Sequence, residues 1–307
     1  MPKKIFLFAA AFLFFLNFFC WKEVFALQEK QYLLVDFLDV GQGDSAFIQT
    51  PEGHQILIDG GPDASLLGKL SSLMPFWDKS IDLVILTHPE KDHMAGLLDL
   101  LQIYKVDYFV WTGVVKNDAE NKQLAALLSK VQNPPAENFF LAALNQNTPT
   151  KVLAASAGEE IKAGNLLIDI LYPFENLAGK ELKNTSNDTG IVSKLIFGNN
   201  SFIFTGDISS AAEKELVASA NSHELASLKS DVLKVAHHGS KYSTSDLFLE
   251  NVKPKIAVIE VGENSYGHPT PEVLQRLEKF GIKVLRTDKD GDVKFVSDGN
   301  NLKLLNN

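Results

Sequence analysis

A single cysteine in 307 residues rules out a disulfide framework and any zinc site built on thiolates. That residue, Cys20, lies in the first 26 positions, so the chain beyond them carries no thiol at all. Blocks of lysine and arginine are also missing. The 29 basic residues are scattered among 38 acidic ones, for a formal charge of −9, and no broad basic face can be built from them. Any contact with a polyanion is therefore local. There is no internal repeat, and beyond the N-terminus no apolar run could span a bilayer. What remains is 45% hydrophobic and 22% charged, an ordinary globular composition with room for one large α/β domain or two small ones.

The first 26 residues, MPKKIFLFAAAFLFFLNFFCWKEVFA, follow another pattern. Lys3 and Lys4 precede an apolar run from Ile5 to Trp21 broken only by Asn17, and Ala26 offers a small residue before a cleavage point. This order predicts a signal peptide, or an N-terminal membrane anchor if it is not cut, with residues 27–307 as the functional domain outside the cytoplasm. The residues before Cys20, Asn-Phe-Phe, do not form a lipoprotein cleavage box. Removing three lysines and one glutamate with the leader leaves 26 basic and 37 acidic residues, about −11.

From Tyr32 onward apolar strands alternate with turns and helices. Strands are predicted over 32–40, 46–50, 56–59, 81–87, 166–173, 191–198, 201–207, 231–239, 255–262, 283–288 and 292–298. Helical spacing recurs at 65–74, 94–102, 119–132, 209–227, 245–251 and 271–280. Residues 133–165, which contain Pro134-Pro135, show no clear period. Continuous apolar strands need cover on both faces, which predicts an α/β layered fold and allows a four-layer sandwich of two similar halves.

Five strands stop at loops rich in Asp, His or Gly: Asp59-Gly60-Gly61, His88 to His93, Asp207, His237-His238, and Gly267-His268-Pro269. Functional groups gather at such strand ends, because the core fixes the strand and the loop carries the chemistry. THPEKDHMAG places His88, Glu90, Asp92 and His93, four potential metal ligands, in six residues. Asp92 also reads as the cap of a helix starting near Met94, and Asp207 as the cap of the helix at 209–217. With a histidine-rich loop elsewhere, Asp207 is better explained as a carboxylate bridging two cations. Either His237 or His238 can complete a second metal. Neighbouring strand residues point to opposite faces, so one of the pair is expected and not both. Gly239 permits close backbone approach, and Ser240, Ser243 or Thr244 offer hydroxyls to a substrate.

FLDVGQGDSAFI, ILIDGG, THPEKDH, FIFTGD, DVLKVAHHGS and NSYGHPTPEVLQRL, followed by LRTDKDGDVKF, together resemble the metallo-β-lactamase superfamily. Within it they are similar to the C-terminal hydrolase domain of the ComEC/Rec2 DNA-internalisation proteins, and AGEEIKAGNLLIDILYP resembles a weaker block of the same domain. The resemblance spans residues 33–297 and implies a four-layer αββα sandwich with one or two divalent metals, Zn²⁺ or Mn²⁺ with Mg²⁺ as a third candidate. It implies that His88 and Glu90 hold one ion, Asp92 and His93 the other, that Asp207 bridges, and that His237 or His238 completes the second site. Asp59 is implied as a support for ligands, and His268 as a group acting on the leaving group. Asn187 matches an asparagine of the ComEC-like block, where Gly190 stands in place of a serine. Glu90 stands where most of the superfamily has His or Asp, and the superfamily's middle histidine has no counterpart between 105 and 200. This carboxylate-rich set favours harder ions.

The expected function is an exported, metal-dependent phosphodiesterase or nuclease. Asp92, His268 and Asp59 serve catalysis, while Ser240, Lys241 and Asn187 face a DNA or nucleotide substrate. A DNA-uptake channel is the implied partner. Two other readings stay open: a hydrolase of esters, lactones or lactams, and an exported binding module with a degenerate site.

Overall fold

Buried strands need cover on both faces. In the computed structural model, which describes residues 8, 11–19, 21–22, 32–132, 149–182, 186–222 and 227–305, they receive it from one another and from helices. The first sheet has eight strands in the order β17 (Leu302–Leu305), β16 (Val293–Ser297), β1 (Leu33–Phe37), β2 (Ala46–Gln49), β3 (Gln55–Ile58), β4 (Ser80–Ile85), β5 (Lys105–Trp111) and β7 (Lys151–Ala154). The second has seven, in the order β15 (Lys283–Arg286), β14 (Ile256–Ile259), β13 (Val232–Lys234), β12 (Asn200–Phe204), β11 (Val192–Phe197), β9 (Leu166–Tyr172) and β8 (Glu160–Ala163). A two-stranded parallel ribbon of β6 (Val115–Lys116) and β10 (Glu181–Leu182) stands apart.

Three apolar layers separate four layers of structure. Between the sheets lie Val35, Phe37, Ile48, Ile56, Ile168, Leu195, Phe204 and Phe295 among others, with the Phe37 and Phe204 rings stacked at 5.5 Å. Outside the first sheet, Leu57, Val84 and Phe109 pack on α1 (Ser65–Leu73), α2 (Lys91–Ile103) and α3 (Ala119–Gln132). Outside the second, Ile203, Leu233 and Ile259 pack on α4 (Ser210–Asn221), α5 (Asp246–Val252) and α6 (Pro271–Lys279). The fold is the expected αββα sandwich.

In the first sheet β3, β4 and β5 run parallel, and in the second β12 to β15 do so. Their C-terminal ends lie at one edge of each sheet, and antiparallel β2 starts at that edge because Ala46 pairs with Ile58. Each polar loop singled out in the sequence follows one of these ends.

Several local expectations are corrected. Helix α2 starts at Lys91, so Asp92 stands in its first turn, and its N-cap residue Glu90 makes no side-chain cap bond. Asp207 does not cap α4; Ser209 does, accepting from the Ala211 amide at 3.2 Å. Strand β13 ends at Lys234, five residues short of the predicted limit, and His237 and His238 both take left-handed backbone at φ 53° and 52°. Strands β7 and β8 fall in the stretch without clear period, because each alternates half-buried with exposed residues at a sheet edge. Residues 133–148 of that stretch lie outside the described residues. So does much of the expected leader, of which residues 11–19 are helical. Among the described residues no helix is long and apolar enough to cross a membrane.

Asp36 of β1 is buried across from Lys294 of β16, whose Nζ lies 3.3 Å from Oδ2, and its Oδ1 has no hydrogen-bond partner. Burial raises its pKa from 3.8 to about 6 against the pull of Lys294. The unfolded chain releases this proton near pH 4 and the folded chain near pH 6, so the group's contribution to stability is complete below pH 4 and is lost as the pH rises through 6. Asp36→Asn is therefore expected to stabilise the protein at pH 7.5 by about 1–3 kcal/mol and to leave it near native stability at pH 4. Urea unfolding at the two pH values checks this, and an equal gain at both would contradict it.

Candidate metal centre

Asp59 directly follows β3 and takes a left-handed backbone at φ 59°, a conformation aspartate tolerates. Its Oδ1 accepts from the Thr87 amide at 2.7 Å and its Oδ2 from the Thr87 hydroxyl at 2.6 Å, joining the ends of β3 and β4. Oδ2 also lies 2.8 Å from Nδ1 of His93, so that nitrogen donates to it and the neutral ring would offer Nε2 as the ligand atom. The spent Thr87 hydroxyl can only accept from Nδ1 of His88, 3.0 Å away, which likewise leaves Nε2 of His88 as a ligand-type nitrogen. His238 is fixed by the backbone, its Nδ1 donating to the Glu260 carbonyl at 2.8 Å.

The Nε2 atoms so presented face carboxylates. His93 Nε2 lies 3.3 Å from Asp207 Oδ1, and His238 Nε2 lies 3.3 Å from Asp92 Oδ2 and 3.5 Å from Asp207 Oδ2. One donor atom from each of Asp92, His93, Asp207 and His238 falls within 4.8 Å of the others. Nε2 of His88, Nε2 of His93 and Oδ1 of Asp207 are buried without any hydrogen-bond partner. Buried polar atoms left in that condition are costly unless a cation meets them. Burial alone would push both imidazoles down, yet Asp207 and Asp44 hold His93 well above its ordinary value and raise His238 to about 10. Positive charge is owed here, and the two-nitrogen, two-carboxylate set fits a divalent ion.

The site is drawn tight by backbone contacts. Gly60 donates to the His93 carbonyl at 2.6 Å and Gly96 to the Gly61 carbonyl at 3.2 Å. A Cβ at Gly96 would lie 2.1 Å from the Gly60 carbonyl oxygen, so only glycine lets α2 bring Asp92 and His93 this close.

Not every predicted residue converges. His238 is buried in the cluster, whereas His237 is 34% exposed and its Nε2 stands 3.8 Å from Asp207. His237 lines the cavity above, about 370 Å³ in volume, with Gln42, Asn187, Tyr266 and His268. The His268 ring lies 5.5 Å from that of His237, and burial followed by the neighbouring imidazoles holds its pKa below the usual value. Ser240 is buried away from this cavity and Lys241 is exposed beside Tyr242, so neither lines it. Glu90 is engaged elsewhere: both its oxygens lie 2.7 Å from Lys116 Nζ, and Oε1 also accepts from the amide and hydroxyl of Ser186.

Sequence reasoning missed three buried ionisable groups beneath the cluster, Lys234, Asp44 and Glu260. Lys234, the last residue of β13, pairs closely with Asp44, lies 3.7 Å from Asp207 and donates to the Gly206 carbonyl at 3.0 Å. Glu260 accepts from the Ser45 amide at 2.8 Å, and burial with Asp44 nearby raises its pKa to about 8. A lysine inside the apolar run VLKVA was the available signal for the first.

A family model described as the beta-lactamase superfamily domain matches residues 54–233, more than half of the chain and most of the site. The chain belongs to the β-lactamase superfamily. Among solved structures of metallo-β-lactamase fold, YhfI from Bacillus subtilis superposes with a TM-score of 0.53 at 14% identity, covering 86% of this chain and 99% of that one. The chain is 33% identical over 281 residues to "ComE operon protein 3" of Bacillus subtilis (strain 168), and 27% identical over 259 residues to "Competence protein ComA" of Neisseria gonorrhoeae. It is also 27% identical over 266 residues to "Recombination protein 2" of Haemophilus influenzae. These alignments take in 84–85% of this chain and 28–32% of the relatives, so the chain spans about a third of their length. The fold is that of the metallo-β-lactamases, and the Asp92, His93, Asp207 and His238 cluster is compatible with a divalent ion.

Proposed function

We propose that this protein is a metal-dependent phosphodiesterase acting on DNA or nucleotides outside the cytoplasm. The observation that carries the reading is the quartet of Asp92, His93, Asp207 and His238, all buried but Asp92, at the floor of a polar cavity open to solvent. Support for the substrate class comes from relatives named for competence and recombination, and support for export from the two lysines and apolar run of the leader.

The quartet would hold the ion, with His93 oriented by Asp59 and His238 by the Glu260 carbonyl. When bound, the ion supplies Lewis acidity toward a phosphoryl oxygen and lowers the pKa of water. Asp92 is the one carboxylate of the quartet that is partly exposed to the cavity, at 35%, and so is placed to accept a proton from an attacking water. His268, on the cavity wall with an unpartnered Nδ1, is placed to steady or protonate the leaving oxygen. Asn187 and Tyr266 offer further hydrogen bonds to a substrate.

The full chain should cleave single- or double-stranded DNA or bis-p-nitrophenyl phosphate with Mn²⁺, Mg²⁺ or Zn²⁺ and stop in EDTA, while His93→Ala remains inactive. A preference for a chromogenic lactam or ester over every phosphodiester would replace this reading with the small-ester hydrolase. Absence of both activities and of metal binding on titration would leave a binding module.

A further inference from the structure

Two of the four ligands offered by THPEKDH were expected to hold a first ion, and one of them is already taken. Glu90 accepts from Lys116 Nζ with both oxygens and from Ser186 twice more, so nearly all of its lone pairs are spoken for. The arrangement is braced on both sides. Lys116 lies on β6, paired in register with Leu182 of β10, and Asn121 at the start of α3 donates to the Pro89 carbonyl at 3.1 Å.

A neighbouring group of donors, Asp44, Asp59 and His93 Nδ1, is already held together by Lys234 and Thr87, so what is left for a first ion is His88 Nε2 and one oxygen of Asp207. Catalytic sites in proteins ordinarily supply three side-chain ligands per ion, and no histidine lies between 105 and 200 to be the third. Lys116, meanwhile, reaches the cavity. It is the only lysine or arginine among the described residues lining it, alongside Glu90, Asp92 and Asp207. An ammonium has three donors, and the two oxygens of Glu90 occupy two of them.

We infer that this protein holds one divalent ion, and that the ammonium of Lys116, fixed by Glu90, stands in for a second cation as the docking group for an anionic oxygen of the substrate. The nature of that oxygen, a phosphodiester oxygen, rests on the function proposed above; the ion count and the cationic docking group do not. Glu90 is then a positioning residue. It keeps a flexible lysine in one place, where an unpaired one would sweep through solvent.

The test combines ion counting with anion binding in the full chain. After saturation with Mn²⁺ and desalting, elemental analysis is expected to give one ion per chain in the native protein and in Glu90→Gln. Inorganic phosphate, titrated calorimetrically into the Mn²⁺-loaded protein, should bind at least tenfold more weakly to Lys116→Met and within about threefold of native to Lys116→Arg. Glu90→Gln should weaken phosphate severalfold with the ion count unchanged. Two ions in the native protein falling to one in Glu90→Gln would overturn the inference, as would phosphate binding indifferent to Lys116→Met. Neither readout needs turnover. A protein that cleaves no phosphodiester but shows one ion and Lys116-dependent phosphate binding would refute the proposed function and keep this inference.

Discussion

His238→Ala is expected to lower phosphodiester hydrolysis by about 10³-fold and to abolish stable Mn²⁺ retention, whereas His237→Ala keeps the ion and loses no more than about tenfold. Lewis-acid catalysis by a metal is worth several kcal/mol, and roughly 4 kcal/mol corresponds to three decades of rate. His238 is buried with Nε2 between Asp92 and Asp207, so its loss removes one of four donors from the quartet. His237 is partly exposed on the cavity wall and can contribute a hydrogen bond of about 1 kcal/mol to a substrate. Parallel kinetics and elemental analysis check the pair. Equal losses of metal and rate in both variants would reject the division of labour between these neighbours.

Lys234→Met is expected to produce the largest stability loss of any single change at the site. Its ammonium is buried against Asp44, with Asp207 at 3.7 Å and Glu260 close enough to raise its pKa along with them. Removing one partner of a buried ion pair leaves uncompensated charge and costs about 3–5 kcal/mol. Urea unfolding in EDTA should show that loss in full. Added Mn²⁺ should recover part of it, because an ion held by the quartet would relieve Asp207. An Asp44→Asn/Lys234→Met double variant should be less destabilised than Lys234→Met alone. A Lys234→Met protein as stable as native in EDTA would show that the pair contributes nothing.

These predictions concern residues of unequal legibility. The four layers could be read from apolar strands, since a run such as Leu83 to Leu86 has no face free for water, and the observed cores confirm cover on both sides. The ligand loops were legible because His and Asp in clusters after buried strands are poorly explained by turns alone. The choice within His237-His238 was not, because it depends on where β13 stops. Once the strand ends at Lys234 the two residues turn through left-handed backbone, and alternation no longer applies. Glu90 looked like a ligand from its position in the motif. Its partners, Lys116 and Ser186, come from segments 26 and 96 residues away, and no local pattern announces them. The same holds for Lys234 and Asp44, whose partnership exists only once the two sheets face each other.

That facing has a consequence for how the ion is acquired. Asp92 and His93 come with the first sheet, Asp207 and His238 with the second, and 146 residues separate Asp92 from His238. In an extended chain these donors form no site, so the ion is a cross-link closed only after both sheets have docked. A polypeptide threaded through a membrane pore would arrive empty and be loaded on the far side. The metal it carries would then be decided by the free-ion concentrations of the compartment where it folds as well as by the intrinsic order of affinities.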